Sequence, residues 1–245
     1  MKLLINYAND IYKSSQKLNT KTGLNIGNFD EVISYSPKNI DRDFFAQNKK
    51  VLSQKKGNGY WLWKPYFIKK SLESLNIGDF LFYCDSGAYF IKPINSLIEL
   101  SLDSDQDIIP FELDIHIESK WTKRDAFILM DCDSPDFINT RQRLSGCILF
   151  KKSNTTMDFI SEYLEYAKDE RIISDIENQC GLDNYPDFVS HRNDQSIFSL
   201  LTKKYGLDAY RDPSQWGNSS TQFYKTSKYE QFIVVTRRKG FFLVV

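Results

Sequence analysis

Phe80-Leu81-Phe82-Tyr83-Cys84-Asp85-Ser86-Gly87 is the stretch that decides the fold. Its leading apolar residues run without interruption, as a strand covered on both faces does in an α/β protein. The run ends at Asp85-Ser86-Gly87, a turn signal. An acidic side chain is thereby placed at the carboxyl end of a buried strand, where open α/β sheets bind their ligands. A carboxylate there can take a metal ion or a ribose hydroxyl, and Gly87 lets a ligand approach the backbone. The plainer alternative is a turn in which Asp85 caps the next helix.

Toward the N-terminus, Lys2 to Tyr7 reads as a buried first strand and Glu31 to Tyr35, closed by Ser36-Pro37, as a second. The polar segment Ala8 to Asn28 between them should hold a helix and a loop. Asp41 to Gln54 reads as helical up to the breaker Lys56-Gly57-Asn58-Gly59, and Pro65 suits the first turn of a helix running to about Leu75. Toward the C-terminus, Asp107 to Phe111 is a strand. Thr122 is placed to cap a helix through Met130, with Asp125 in a capping-box-like pair. Ser145 to Lys151 is a strand, roughly Thr155 to Lys168 a helix, Asp194 to Lys204 an amphipathic helix, and Gln231 to Thr236 a late strand. Strands alternating with helices predict an α/β fold with a largely parallel sheet and antiparallel strands added late. No repeat or linker divides residues 1–245, so a single domain is expected.

Composition narrows the function. Lys plus Arg equals Asp plus Glu at 32 each, so no basic excess calls for nucleic acid. The four cysteines form no CxxC pair or zinc spacing, the usage of reduced cytosolic thiols. The apolar start is too short for a signal peptide, and no run reaches the roughly 18 apolar residues that span a bilayer, so a soluble, intracellular protein is expected. Aromatic residues make up 15%, a content that suits both cores and carbohydrate sites.

Four further segments could carry chemistry. Gly59-Tyr60-Trp61-Leu62-Trp63-Lys64-Pro65-Tyr66 places a lysine at a helix start, which fits a phosphate better than a core, while one of the two tryptophans is expected to plug the core. Ser190-His191-Arg192-Asn193-Asp194-Gln195 precedes the amphipathic helix, and Asp194 there could serve as general base or simply cap the helix. Arg237-Arg238-Lys239-Gly240 could clamp a diphosphate leaving group or be a basic surface run. Asp131-Cys132-Asp133 is a literal D-x-D, but it follows a predicted helix rather than a strand, so it ranks second as a metal site.

The order and spacing of these segments resemble the glycosyltransferases of the GT-A fold. More narrowly, they resemble small bacterial capsule and lipopolysaccharide enzymes with WxWKP (Trp61–Pro65), YxDSG (Tyr83–Gly87) and HRxDQ (His191–Gln195) segments. The resemblance implies a Rossmann-type mixed sheet flanked by helices. It implies transfer of a hexose from a nucleoside-diphosphate sugar, a UDP-sugar, to a glycan or lipid-linked glycan acceptor in surface polysaccharide synthesis. Such an enzyme is cytoplasmic, with room for peripheral association at the inner face of the membrane.

Residue by residue, the resemblance puts Tyr7, Ala8 and Asn9 at the base and ribose and Lys64 near the phosphates. Asp85, Ser86 and Gly87 take the D-x-D position, with Asp85 the metal ligand. Trp63 and Gly146, the latter within Ser145-Gly146-Cys147, lie on the acceptor side. Asp194, Gln195 and His191 take the catalytic positions facing the reacting sugar, Asp194 as acid/base or acceptor-orienting group, and Arg237, Arg238 and Lys239 close over the diphosphate. Gly87 stands where the second acid of D-x-D belongs, so a Mn²⁺ or Mg²⁺ ion would lean on phosphates and water. A nucleotidyltransferase or other nucleotide-sugar-handling α/β enzyme is the rival, against which stands the lack of GxxxxGK[ST] and GxGxxG. A non-catalytic carbohydrate-binding domain would explain the aromatics but not Asp85, Lys64 and the basic cluster together.

Overall fold

The computed structural model describes residues 1–219, 227 and 229–236. Its main sheet grows from the two N-terminal strands. β1 (Lys2–Tyr7) pairs in parallel with β2 (Glu31–Tyr35) on one side and β3 (Phe80–Cys84) on the other. A short strand β4 (Ala88–Phe90) follows the Asp85 turn. β5 (Ile108–Ile117) and β6 (Arg141–Lys151) form an antiparallel pair, β6 inserts antiparallel to β3, and β7 (Tyr210–Arg211) adds a parallel edge to β5. The order is β2-β1-β3-β6-β5-β7. One antiparallel strand therefore lies in the middle of the sheet, not at its late end as the sequence suggested. The carboxyl ends of β1, β2, β3, β5 and β7 share one edge.

Side-chain alternation explains why both faces are covered. Leu3, Ile5, Leu81, Tyr83, Ile148 and Phe150 join one buried cluster. It is closed by α2 (Trp63–Glu73), α4 (Asn154–Lys168) and α5 (Asp194–Lys204). Leu4, Phe82, Cys147 and Leu149 point to the other cluster, with Phe90 and Leu97 of α3 (Asn95–Asp103). On that side α1 (Lys13–Thr22) packs by polar contacts. The amide of the fully buried Asn6 donates to Asn19 Oδ1 at 2.8 Å and accepts from Gln16 at 2.9 Å. Buried amides paired in this way fix one register of helix on strand, since each unmade bond would cost about 1–3 kcal/mol.

Several local expectations need correction. Thr122 does not cap the next helix, which spans Arg124–Leu129 from Lys123; its hydroxyl donates to the buried Glu118 at 2.7 Å. Asp125 makes no capping-box pair with Thr122, and instead accepts the backbone N–H groups of Gln179 and Cys180, tying down a long loop. The strand read as Asp107 to Phe111 runs on to Ile117, with register shifts after Ile109 and after Glu112. Such irregularities re-aim side chains at sheet edges. The late strand β8 (Ile233–Val235) does not enter the main sheet but pairs with β4.

Candidate active site

A cleft of about 990 Å³ lies along the edge where the parallel strands end. Its floor and walls come from the end of β1 (Tyr7, Ala8, Asn9), the turn after β3 (Asp85, Ser86, Gly87) and the irregular end of β5 (Glu112 to His116). The middle of β6 adds Leu144, Gly146 and Cys147, and the turn after β7 adds Asp212 and Trp216. In a doubly covered sheet the carboxyl ends of the strands are where ligands bind.

The Asp85 turn is fastened from all sides. Its backbone N–H donates to Gly146 O at 2.7 Å, the Ser86 hydroxyl donates to Tyr7 O, and Thr236 donates to Gly87 O at 2.9 Å. Tyr83 donates its phenol to Asp85 Oδ1. Gly146 leaves the Asp85 side chain room at this spot, because a Cβ would sit 3.1 Å from Asp85 Oδ2 and 3.3 Å from the Leu144 side chain and press on both. The Asp85 side chain stays 52% exposed and faces the cleft.

Beneath it lies a buried ion pair. Lys64, 2% exposed on the first turn of α2, donates to Asp194 Oδ2 at 2.6 Å, to Ser145 Oγ at 3.0 Å and to Ser145 O at 3.1 Å. Its ammonium is also 3.9 Å from Asp85 Oδ1. Asp194, on the first turn of α5, accepts from Ser145 Oγ and Tyr163 as well. Burial raises the Asp194 carboxyl above the usual range, and Lys64 opposes that rise. The residue before it, Asn193, holds φ 50° and ψ −117°, a strained conformation pinned by its amide's bond to Ile173 O. Strain of this sort is retained where the surroundings over-determine a geometry.

The opposite wall is a left-handed turn. Gly57, Asn58, Gly59, Tyr60 and Trp61 all have positive φ, which the glycines tolerate and the other residues do not favour. The turn is held by Trp63 Nε1 donating to Gly57 O at 2.9 Å and by Asn58 donating to the Tyr7 hydroxyl. Tyr7 and Trp63 stack at 3.7 Å with planes 15° apart, leaving Trp63 only 4% exposed.

No family model matches the sequence, and no curated protein matches it. Among solved structures, the chain is similar to the apo form of mouse xyloside xylosyltransferase 1. The TM-score is 0.51 at 11% identity, covering 97% of this chain and 98% of that one. The fold is GT-A-like. At so low an identity the likeness is one of backbone architecture, and residue roles rest on the site's own geometry.

Of the residues the sequence singled out, this GT-A-like cleft brings together Tyr7, Ala8, Asn9, Trp63, Asp85, Ser86, Gly87, Gly146 and Gln195. Lys64 and Asp194 lie under the floor and do not line it, against the expectation that they meet phosphate and sugar directly. His191 is 5% exposed; its Nδ1 accepts from Lys123 N–H at 3.2 Å and its Nε2 lies 2.8 Å from Ile172 O. It is a strut of the core, not a cleft residue. Arg237, Arg238 and Lys239 lie outside the described residues. Asp131 and Asp133 are away from the cleft, with Asp133 accepting from Arg124 and from the Tyr185 hydroxyl.

Burial pushes the His191 imidazole down to about 3. The unfolded chain, with its histidine near 6.5, then binds a proton that the folded chain refuses, so stability falls as pH drops below about 6.5. Between pH 6 and pH 4.5, His191→Gln should lose about 1–2 kcal/mol less than the parent in urea unfolding. Equal losses in both proteins would contradict the neutral, buried assignment.

Around Asp85 the protein offers a divalent ion a single carboxylate, so an ion there would take its other ligands from phosphates and water. Among the described residues no group of three or more His, Cys, Asp or Glu side chains could hold a metal, whereas Mg²⁺ wants six oxygens in near-ideal octahedral array. Asp85 supplies one carboxylate, its Oδ1 already engaged by Tyr83 and near the Lys64 ammonium. The Ser86 hydroxyl is turned to Tyr7, and Gly87 has no side chain. The arrangement suits a carboxylate that accepts hydroxyl hydrogens from a ligand. Glu112, Asp114 and Trp216 line the cleft without any local signal in the sequence, Arg192 lies in the HRxDQ segment with no role of its own assigned there, and Asn58 sits in the Gly57-Asn58-Gly59 stretch that reads as a helix stop. Among the described residues no helix is long and apolar enough to cross a membrane.

Proposed function

We propose that this chain transfers a hexose from a UDP-sugar to a glycan or lipid-linked glycan acceptor, in assembly of a capsule or lipopolysaccharide O-antigen. The observation that carries the reading is the convergence, in one cleft at the strand ends, of Tyr7–Asn9 and Asp85–Gly87. Asn9 supports the nucleotide end, since its buried Oδ1 has no hydrogen-bond partner among the described residues and can accept an N–H from a base. Asp85 accepts hydroxyls of the ribose or the donor sugar, and Gln195 reaches the sugar from the rim. Asp194 works through Lys64 rather than on the sugar. Arg237, Arg238 and Lys239 supply cations for the diphosphate.

In the reaction, an acceptor hydroxyl oxygen bonds to the anomeric carbon while the bond to the diphosphate oxygen breaks. Electron density passes to the leaving UDP. The hydroxyl proton goes to the departing phosphate if the configuration is retained, and to a cleft carboxylate if it is inverted. Activity at the inner face of the membrane would fit a lipid-linked acceptor.

Calorimetric titration tests the reading. UDP should bind at least about tenfold tighter than uridine, because charge-assisted bonds to phosphate are each worth roughly 1.5–3 kcal/mol. EDTA should change UDP affinity by less than about threefold, since the described residues offer a divalent ion so few ligands. Failure to bind UDP would end the proposal. Loss of UDP binding on chelation, restored by Mn²⁺, would return the metal to Asp85.

A further inference from the structure

Trp216 is the most exposed of the four tryptophans, at 60%, and it faces the cleft. A large apolar ring left in water at a ligand cleft is informative where a scattered surface leucine is not. The turn that carries it is rigid. Ser214 N–H donates to Asp212 Oδ1 at 2.8 Å, Gly217 N–H to Ser214 O at 3.1 Å, and Trp216 N–H to Ser214 Oγ at 3.3 Å. Gly217 closes the turn so tightly that a Cβ would lie 1.9 Å from Asp212 O. Gln215 then clasps β8 in both directions, donating to Val235 O at 2.7 Å and accepting from Val235 N–H at 2.9 Å. β8 is itself paired to β4, directly after the Asp85 turn. The indole is thus held on the cleft that Asp85 also lines, on a scaffold that does not need ordering at the moment of binding.

Trp63, the tryptophan expected on the acceptor side, cannot play that part, because Tyr7 stacks on it and it is 4% exposed. We propose that Trp216 is the platform for the acceptor sugar: its indole face takes the C–H face of a pyranose near Asp85 and Gly146. Carboxylates of the same cleft accept the sugar's hydroxyls, a pairing of flat apolar surface with acceptors that suits a saccharide better than a lipid chain. The inference rests on the glycosyltransferase reading and names the group that selects its acceptor.

The test keeps the two ideas apart. Methyl β-D-galactopyranoside, methyl α-D-glucopyranoside and N-acetylglucosamine are titrated in the presence of saturating UDP, read by calorimetry and tryptophan fluorescence. Wild type is compared with Trp216→Phe and Trp216→Ala, each checked by circular dichroism. At least one sugar should bind wild type, with affinity about tenfold lower in Trp216→Ala and within about threefold in Trp216→Phe, while the Kd for UDP stays within about twofold in all three. No sugar bound by wild type, or equal sugar affinity in Trp216→Ala, overturns the platform. A fall in UDP affinity in Trp216→Ala also overturns it, by giving the ring to the nucleobase. Absence of UDP binding to wild type would instead defeat the glycosyltransferase reading.

Discussion

Replacing Lys64 by methionine is expected to remove about 3–5 kcal/mol of folding stability at neutral pH, the usual penalty for stranding one partner of a buried ion pair. Asp194 would keep its bonds from Ser145 and Tyr163 but lose the only ammonium within 4 Å of it among the described residues. Burial already raises that carboxyl, and without Lys64 it rises further. A folded-state pKa above the unfolded value adds stability that is present at low pH and lost as pH rises. The deficit of Lys64→Met should therefore shrink between pH 7 and pH 5. Adding Asp194→Asn should recover at least half of it, since an amide still accepts from Tyr163 and carries no charge to strand. Urea unfolding decides the matter. A single-variant loss below about 1 kcal/mol, or a double variant no better than the single, would mean that the pair does not hold the floor of the cleft together.

The second large effect is on the proposed transfer reaction. Asp85→Asn should lower sugar transfer about 10²- to 10³-fold, equivalent to roughly 2.7–4 kcal/mol of transition-state stabilisation. Its melting temperature should stay close to the parent's, because the Asp85 side chain is 52% exposed and the asparagine oxygen can still accept from Tyr83. UDP titration separates binding from chemistry in the same protein. Near-normal turnover in the folded variant would move the reacting centre along the cleft to Glu112, Asp114 or Asp212.

How much of this was legible in the sequence follows how local each cause is. The spans Lys2–Tyr7, Glu31–Tyr35 and Asp194–Lys204 coincide with their elements because apolar periodicity and turn residues lie within the segments themselves. The placement of β6 between β3 and β5 was not legible, since strand pairing depends on partners far along the chain. Lys64 shows the same limit in the site. A lysine at a helix start looks solvated until Asp194, 130 residues later, is seen to meet it. His191 misled for the reverse reason: imidazole suggests chemistry, but two backbone partners and full burial make it a packing element. The Asp85 turn was readable because strand, acid and glycine are contiguous. Trp216 was not, because its meaning comes from β8 clasping the turn beneath it.

That clasp sets a timetable for biogenesis. Gly87 and Thr236, which fastens it, are separated by 149 residues. At roughly 5–20 residues per second of synthesis, the Asp85 turn emerges on the order of ten seconds before its fastener. Through that interval β4 lacks its partner β8 and is an open hydrogen-bonding edge, the kind of template that recruits a neighbouring chain. A ribosome-bound fragment ending before residue 236 would carry Asp85 without the clasp that shapes its cleft, so the ligand-binding form of the cleft should appear only once that late stretch has been released.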